Sequence, residues 1–282
     1  MWRNVLAALM LSTGALAVAA APAKEALTVQ TAEISAADLL RAAALDELCA
    51  QIGPAIAGLA GLDALPSEQS FLSHWQLTAA IIFDAEGMEQ QLVGAIEASI
   101  APGQRAAMGR FFASALGRRI TALEHAVLRL DAASQTRALL EGRRLLEEAD
   151  DGRRAVLEDM LLLVGPEVSV AFSAQSTRAM LLRLTLSQQR GSIEVPWEQI
   201  DAQVGAMLPG LLASVTEAQG AMSAYAYRGL DDDELQRYRN FLATPEAQHL
   251  YAVAGRTFAD LLAERMHRFG ETLARRLASV NA

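Results

Sequence analysis

The 282-residue sequence contains one cysteine, Cys49, and one lysine, Lys24. A lone thiol forms no internal disulfide, so a buried core must hold the fold without covalent help. Aromatic residues make up only 5% of the chain. No segment shows sustained strand alternation or a turn-bounded run of β-branched residues, which argues against sandwiches and barrels. The sequence also lacks a Gly-rich phosphate loop and a Gly-x-Ser-x-Gly nucleophile elbow. Excess positive charge is missing too: the formal net charge is −9. Nucleic acids and anionic lipids select Lys/Arg patches, so neither is expected as a partner.

What remains is 52% apolar and 20% charged residues, which excludes a disordered acidic tail. The N-terminus has one base, Arg3, then an apolar run from Val5 to Ala21, then Ala21-Pro22-Ala23 with small residues at both ends. These are the three parts of a secretory signal peptide. Cleavage after Ala23 would leave Lys24 first and, by removing Arg3 and no acid, change −9 to −10. The expected location is the periplasm, with no integral membrane segment after cleavage.

Helical periodicity dominates the rest, and the expected fold is all-α: a multi-helix bundle of amphipathic antiparallel helices. Ser35 with Asp38 opens a helix running to about Gln51, and Gly53-Pro54 and Leu65-Pro66-Ser67 interrupt. A helix with Phe71, Trp75 and Ile82 follows, then one from Asp84 to about Ile100 and one from Pro102 to about Ala113. Leu116, Ile120, Leu123, Val127 and Leu130 draw one stripe along a helix that begins at Ser114 and extends towards Ala149. Further helices span Arg153 to Val164 and Glu167 to Gln189. Arg190-Gly191-Ser192 and Pro196 form the clearest break. Asp231 and Glu234 read as a capping box ahead of a helix ending near Ala243. Thr244-Pro245 opens a last helix bearing Leu250, Phe258, Leu262, Met266, Phe269, Leu273 and Leu277.

A shift of 130 residues lays 111–117 over 241–247, in each case a helix tail, a Ser/Thr cap and the head of a longer helix. This suggests a division into a signal peptide (1–23), an N-terminal helical half (24–190) and a similar C-terminal half (191–282).

The stretch from Leu230 to Gln248, with Glu234-Leu235, Tyr238, Phe241 and Thr244-Pro245-Glu246-Ala247, resembles the signature of the exported bacterial family called domain of unknown function 2059. Ala247 stands where that family usually has glycine, and Leu242 where tyrosine is frequent. Residues 111–124 resemble a second, degenerate version that keeps Gly117 but has Ala115 for proline. The resemblance covers about a quarter of the chain. It implies an all-helical periplasmic protein and no established activity, with Phe111, Ser114, Gly117, Glu234, Tyr238, Phe241, Thr244 and Pro245 as structural motif residues.

Candidate chemistry is sparse. Glu246/His249 and Glu264/His267 are two Glu-x-x-His pairs, the spacing of a di-iron ligand set, but they lie on one expected helix about 27 Å apart. They cannot share a metal, and no metal or other cofactor is expected. Cys49 sits in an apolar stretch and reads as a core residue. His74 reads as a half-buried helix residue, and Glu124-His125 as a surface pair. The arginine pairs at 118–119, 143–144, 153–154 and 275–276 read as solvated helix faces. Arg118, Arg119 and Glu124 form the candidate polar binding set: two cations in the first turns of a helix oppose its dipole and call for a compensating acid or ligand. Either a salt bridge across a helix hairpin or a carboxylate or phosphate site between helices would answer that. The expected function is a non-catalytic binding or interaction module for a protein, peptide or lipid-like partner. The alternatives are an envelope hydrolase with a scattered site, and a structural homo-oligomer assembled through the 116–130 stripe.

Overall fold

A computed structural model describes residues 34–61, 69–188 and 194–280. The expected signal peptide, the Leu65-Pro66-Ser67 interruption and the Arg190-Gly191-Ser192 break lie outside these residues. The described chain is all-α, with twelve helices and no strand. They are α1 (Ala36–Ala42), α2 (Leu45–Leu59), α3 (Gln69–Ile82), α4 (Ala85–Ser99), α5 (Pro102–Phe112), α6 (Ala115–Leu128), α7 (Ala132–Glu148), α8 (Asp151–Val164), α9 (Glu167–Gln188), α10 (Trp197–Ala226), α11 (Asp232–Leu242) and α12 (Pro245–Val280).

Side-chain caps set most of the starts. Asp84, Ser114, Asp131, Asp150 and Asp231 each accept a hydrogen bond from a backbone N–H three residues on, satisfying donors that a helix start leaves free. The box at Asp231 is complete: Glu234 N–H donates to Asp231, and the Glu234 side chain accepts from Asp231 N–H. Its counterpart at α5 joins Ala101 N–H to Gln104 Oε1 at 3.1 Å.

Three expected boundaries are corrected. The helix from Ser35 breaks at Ala43-Ala44, where Ala44 adopts a left-handed φ of 56°. That conformation costs about 1–2 kcal/mol for a residue with a Cβ, and burial of both alanines holds it. Gly53-Pro54 does not interrupt: α2 runs through both. Pro54 is exposed, and a Cβ on Gly53 would meet the Phe83 carbonyl oxygen at 2.9 Å, so glycine lets α2 lie against the end of α3. Finally, the expected helix from Ser114 towards Ala149 is two helices. Arg129 ends α6 and Asp131 caps α7. The stripe residues Leu116, Leu123 and Val127 pack on the core and Ile120 is fully buried, so this stripe is used within the chain.

The long last helix α12 is the spine of the molecule. It packs on α3, α4, α5, α8 and α9 from the expected N-terminal half and on α11 from its own. All seven of its expected core residues, Leu250 to Leu277, are buried. Trp75 from α3 donates its indole N–H to Ile56 O at 2.8 Å and meets Phe269 edge-on at 4.7 Å. Arg265, buried on α12, donates to Ile82 O at 2.5 Å and so satisfies a carbonyl at the C-terminal end of α3, where the helix dipole favours a cation. The buried residues form one cluster from Ala36 to Leu277, with members on both sides of residues 189–193. A second close contact joins α7 to α10: a Cβ on Gly142 would sit 1.9 Å from Ala221 O, so only glycine permits this crossing.

Candidate functional site

The two motif segments fold alike at the 130-residue spacing. Each has an 11-residue helix, α5 or α11, followed by a hydroxyl-capped helix. Ser114 Oγ accepts from Gly117 N–H at 3.0 Å, and Thr244 Oγ1 from Ala247 N–H at 3.3 Å. Gly117 is required at its position, since a Cβ there would lie 2.1 Å from Phe111 O. Pro245 begins α12, a place where its missing N–H costs nothing. The units also meet. Phe111 and Phe241, which correspond under the shift, stack with centroids 3.8 Å apart and planes 5° apart. Reciprocally, α5 packs on α12 and α6 on α11.

The expected polar set separates at this junction. Arg119 Nη1 donates to both carboxylate oxygens of Glu234 at 2.7 and 2.8 Å, and Nη2 donates to Gly229 O. The compensating acid is therefore the capping glutamate of the other unit, 115 residues on, and not a partner across the α5–α6 hairpin. Arg118 donates to Ala113 O, back at its own helix start. Arg153 holds the same 227–232 turn from the other side, donating to Tyr227 O, Leu230 O and Asp232.

Glu124 faces elsewhere. Its Oε1 accepts two phenol O–H groups, Tyr227 at 2.6 Å and Tyr238 at 2.7 Å. Tyr227 follows α10, Tyr238 lies on α11, and Tyr251 on α12 lies close enough to feel the carboxylate's charge. No arginine or lysine neutralises Glu124 among the described residues. Burial pushes its carboxyl pKa up, against the opposing pull of the two phenols and of His125. The Tyr227 and Tyr238 hydroxyls rise well above the ordinary phenol range, chiefly from burial and then from Glu124's charge. His125 turns the other way, 3.5 Å from Glu47, whose carboxyl Arg129 holds below the usual range. Glu124-His125 is thus no pair: one faces the core and the other the α1–α2 side.

Other candidates settle into structure. Cys49 is buried and its thiol is pushed up to about 12, mainly by burial, so it is no thiolate nucleophile at neutral pH. Both Glu-x-x-His pairs lie on α12. Among the described residues no three His, Cys, Asp or Glu side chains converge as a metal site.

One feature has no counterpart in the expected sites. Between Asp201 and Glu217, α10 carries 15 residues without a charge. Only Val204, Leu211 and Val215 of these are buried. Ala202, Ala206, Pro209, Ala213 and Thr216 are exposed, as are Leu208 and Leu212, at 39% and 44%. The charge gap is readable in the sequence, but which face is outward is not. Two shallow concavities flank the helix ends: one of about 200 Å³ beside Leu181, Leu184 and Gln203, the other of about 260 Å³ beside Leu157, Ala224 and Arg228. Glu124 lines neither.

No family model, no curated protein and no solved structure matches this chain.

Proposed function

We propose that this is an exported, non-catalytic interaction module that engages a protein partner through the outer face of α10. The uncharged, outward Ala202–Thr216 face carries the reading. Helices on the surface of a monomer present charged residues outward, and a contiguous apolar face without them marks an interaction site. The two concavities, at about 200 and 260 Å³, fall below the roughly 300–1,000 Å³ of small-molecule sites, so a flat protein contact fits better than an enclosed lipid-like ligand. The domain of unknown function 2059 resemblance and the signal peptide supply the export half of the proposal.

Two measurements test it. Osmotic-shock fluid should contain a protein whose N-terminal residue is Lys24; recovery of the uncleaved chain in the cytoplasm would remove the export half. Leu208→Asp with Leu212→Asp should abolish a partner cross-link made by the wild type while leaving the helical circular dichroism unchanged. An undiminished cross-link would place the contact elsewhere.

A further inference from the structure

We infer that α6 is a proton-operated clamp, with His125 gripping the α1–α2 side and Glu124 gripping the second motif unit, both tighter in acid and both looser in alkali.

His125 makes the case from geometry, because both groups that its ring nitrogens face are acceptors. Nε2 lies 3.2 Å from Arg41 O, near the end of α1, and Nδ1 lies 3.5 Å from Glu47 Oε1 on α2. A carbonyl only accepts, so in the neutral ring Nε2 carries the hydrogen. Nδ1 is then a bare lone pair, buried without a hydrogen bond and turned towards a carboxylate. Arg129 keeps that carboxylate ionised. Only the imidazolium offers an N–H to each neighbour, and the open carbonyls at a helix end favour its charge. The ring also sits inside the contact that it tightens: Thr121 Oγ1 donates to Ala42 O at 2.7 Å, and Gln51 Nε2 donates to Leu128 O.

Glu124 works on its own side in the same sense. Neutral or ionised, Oε1 accepts the Tyr227 and Tyr238 hydroxyls. Losing the proton therefore adds no bond there, and it leaves a charge that no arginine or lysine among the described residues neutralises. Burial outweighs the pull of the two phenols towards the anion. His125 pulls the same way as the phenols, but least of the three.

The charges on the elements packed against α6 do not undo this. Asp46, on α2, adds negative charge near Arg129, which favours the imidazolium as Glu47 does. Arg41 at the end of α1 pairs with Asp38. On α5, Arg105 donates to Ile100 O and Arg110 is exposed. Asp201 and Glu217 of α10 pair with Arg178 and Arg143, and Glu198 is exposed. On α11, Asp232, Glu234 and Arg239 pair with Arg153, Arg119 and Asp159, while Asp233 and Arg237 are exposed. The two signs then agree. The neutral Glu124 form stabilises fully below about pH 4.5 and is lost as pH rises through its raised folded value. The imidazolium contacts hold where histidine is protonated and are lost towards alkaline pH.

The test compares the full-length wild type with Glu124→Gln, His125→Gln and the double variant, by thermal melts and amide hydrogen exchange between about pH 5.5 and about pH 8. Measured against the double variant, the wild type should gain at least about 3 °C in melting temperature as pH falls across that range. Each single variant should keep part of the gain. After correction for intrinsic rates, wild-type amides of α6 should lose more protection towards pH 8 than those of α3, which α6 does not touch closely. The double variant should abolish that difference. A gain absent from the wild type, undiminished in the double variant, or removed whole by one single variant overturns the inference. Should a variant fail to fold, wild-type exchange decides alone: α6 amides no more sensitive to pH than those of α3 overturn it.

Discussion

At the scale of single residues, Glu124 shows what neighbourhood in sequence conceals. It stands five residues after Arg119 on the same helix, yet Arg119 faces Glu234 while Glu124 takes its hydrogen bonds from tyrosines 103 and 114 residues away. No local signal marks a carboxylate whose partners come from α11 and the end of α10. The sign of its effect on stability follows from burial. A carboxyl whose pKa is raised in the folded state exacts no penalty below about pH 4.5; the penalty for charging it grows as pH rises through the folded pKa. Glu124→Gln keeps an acceptor for the two phenols and never ionises. Its melting temperature relative to wild type should therefore climb as pH goes from about 4.5 towards neutral, a trend that parallel pH series of thermal melts would reveal. A flat difference would mean that Glu124 is not held against its charge. Glu124→Leu, by contrast, should lose about 1–3 kcal/mol for each hydroxyl left without an acceptor.

Among elements, caps were the most legible part of the fold, because Asp84, Ser114, Asp231 and Thr244 act through residues three positions away. Two of the misread boundaries depend on distant packing. Nothing local distinguishes Ala43-Ala44 from the alanines around it, and Pro54 reads as a breaker until Phe83 is seen against Gly53. At Arg129–Asp131 the apolar spacing runs on across a real break, which the Asp131 cap makes and the stripe does not reveal. The pairing of α5–α6 with α11–α12 was legible only as a repeat; that the two units meet at corresponding phenylalanines was not. If the Phe111–Phe241 stack joins them, a double-mutant cycle with Phe111→Leu and Phe241→Leu should give a coupling of about 0.5–1.5 kcal/mol in denaturant unfolding. Additive losses would reduce the stack to mere proximity.

For the whole molecule, the all-helical class and the α12 stripe followed from spacing, whereas the central position of α12 did not: seven apolar residues on one face say that a helix is buried, not that half the bundle leans on it. Ending the chain at Thr244 should expose the faces of α3, α4 and α5 that α12 covers. The expected result is loss of the cooperative thermal transition with much of the far-ultraviolet helical signal retained, as in a collapsed but unpacked state. A truncated protein that melts sharply near the wild-type temperature would show that the preceding helices form a core of their own.

The placement of that spine has a consequence in time. A ribosome delivers α12 last, so α5, complete at residue 112 and already able to pack on α1 and α6, waits until residue 245 for its remaining partner. Until α12 emerges the early helices pack on one another but have part of their apolar sides uncovered, and completion of the core waits on contacts of long sequence separation. Were the chain exported as proposed, this delay would be an advantage. A polypeptide that cannot finish folding until its last segment emerges stays threadable while its leading end is already on its way through the membrane.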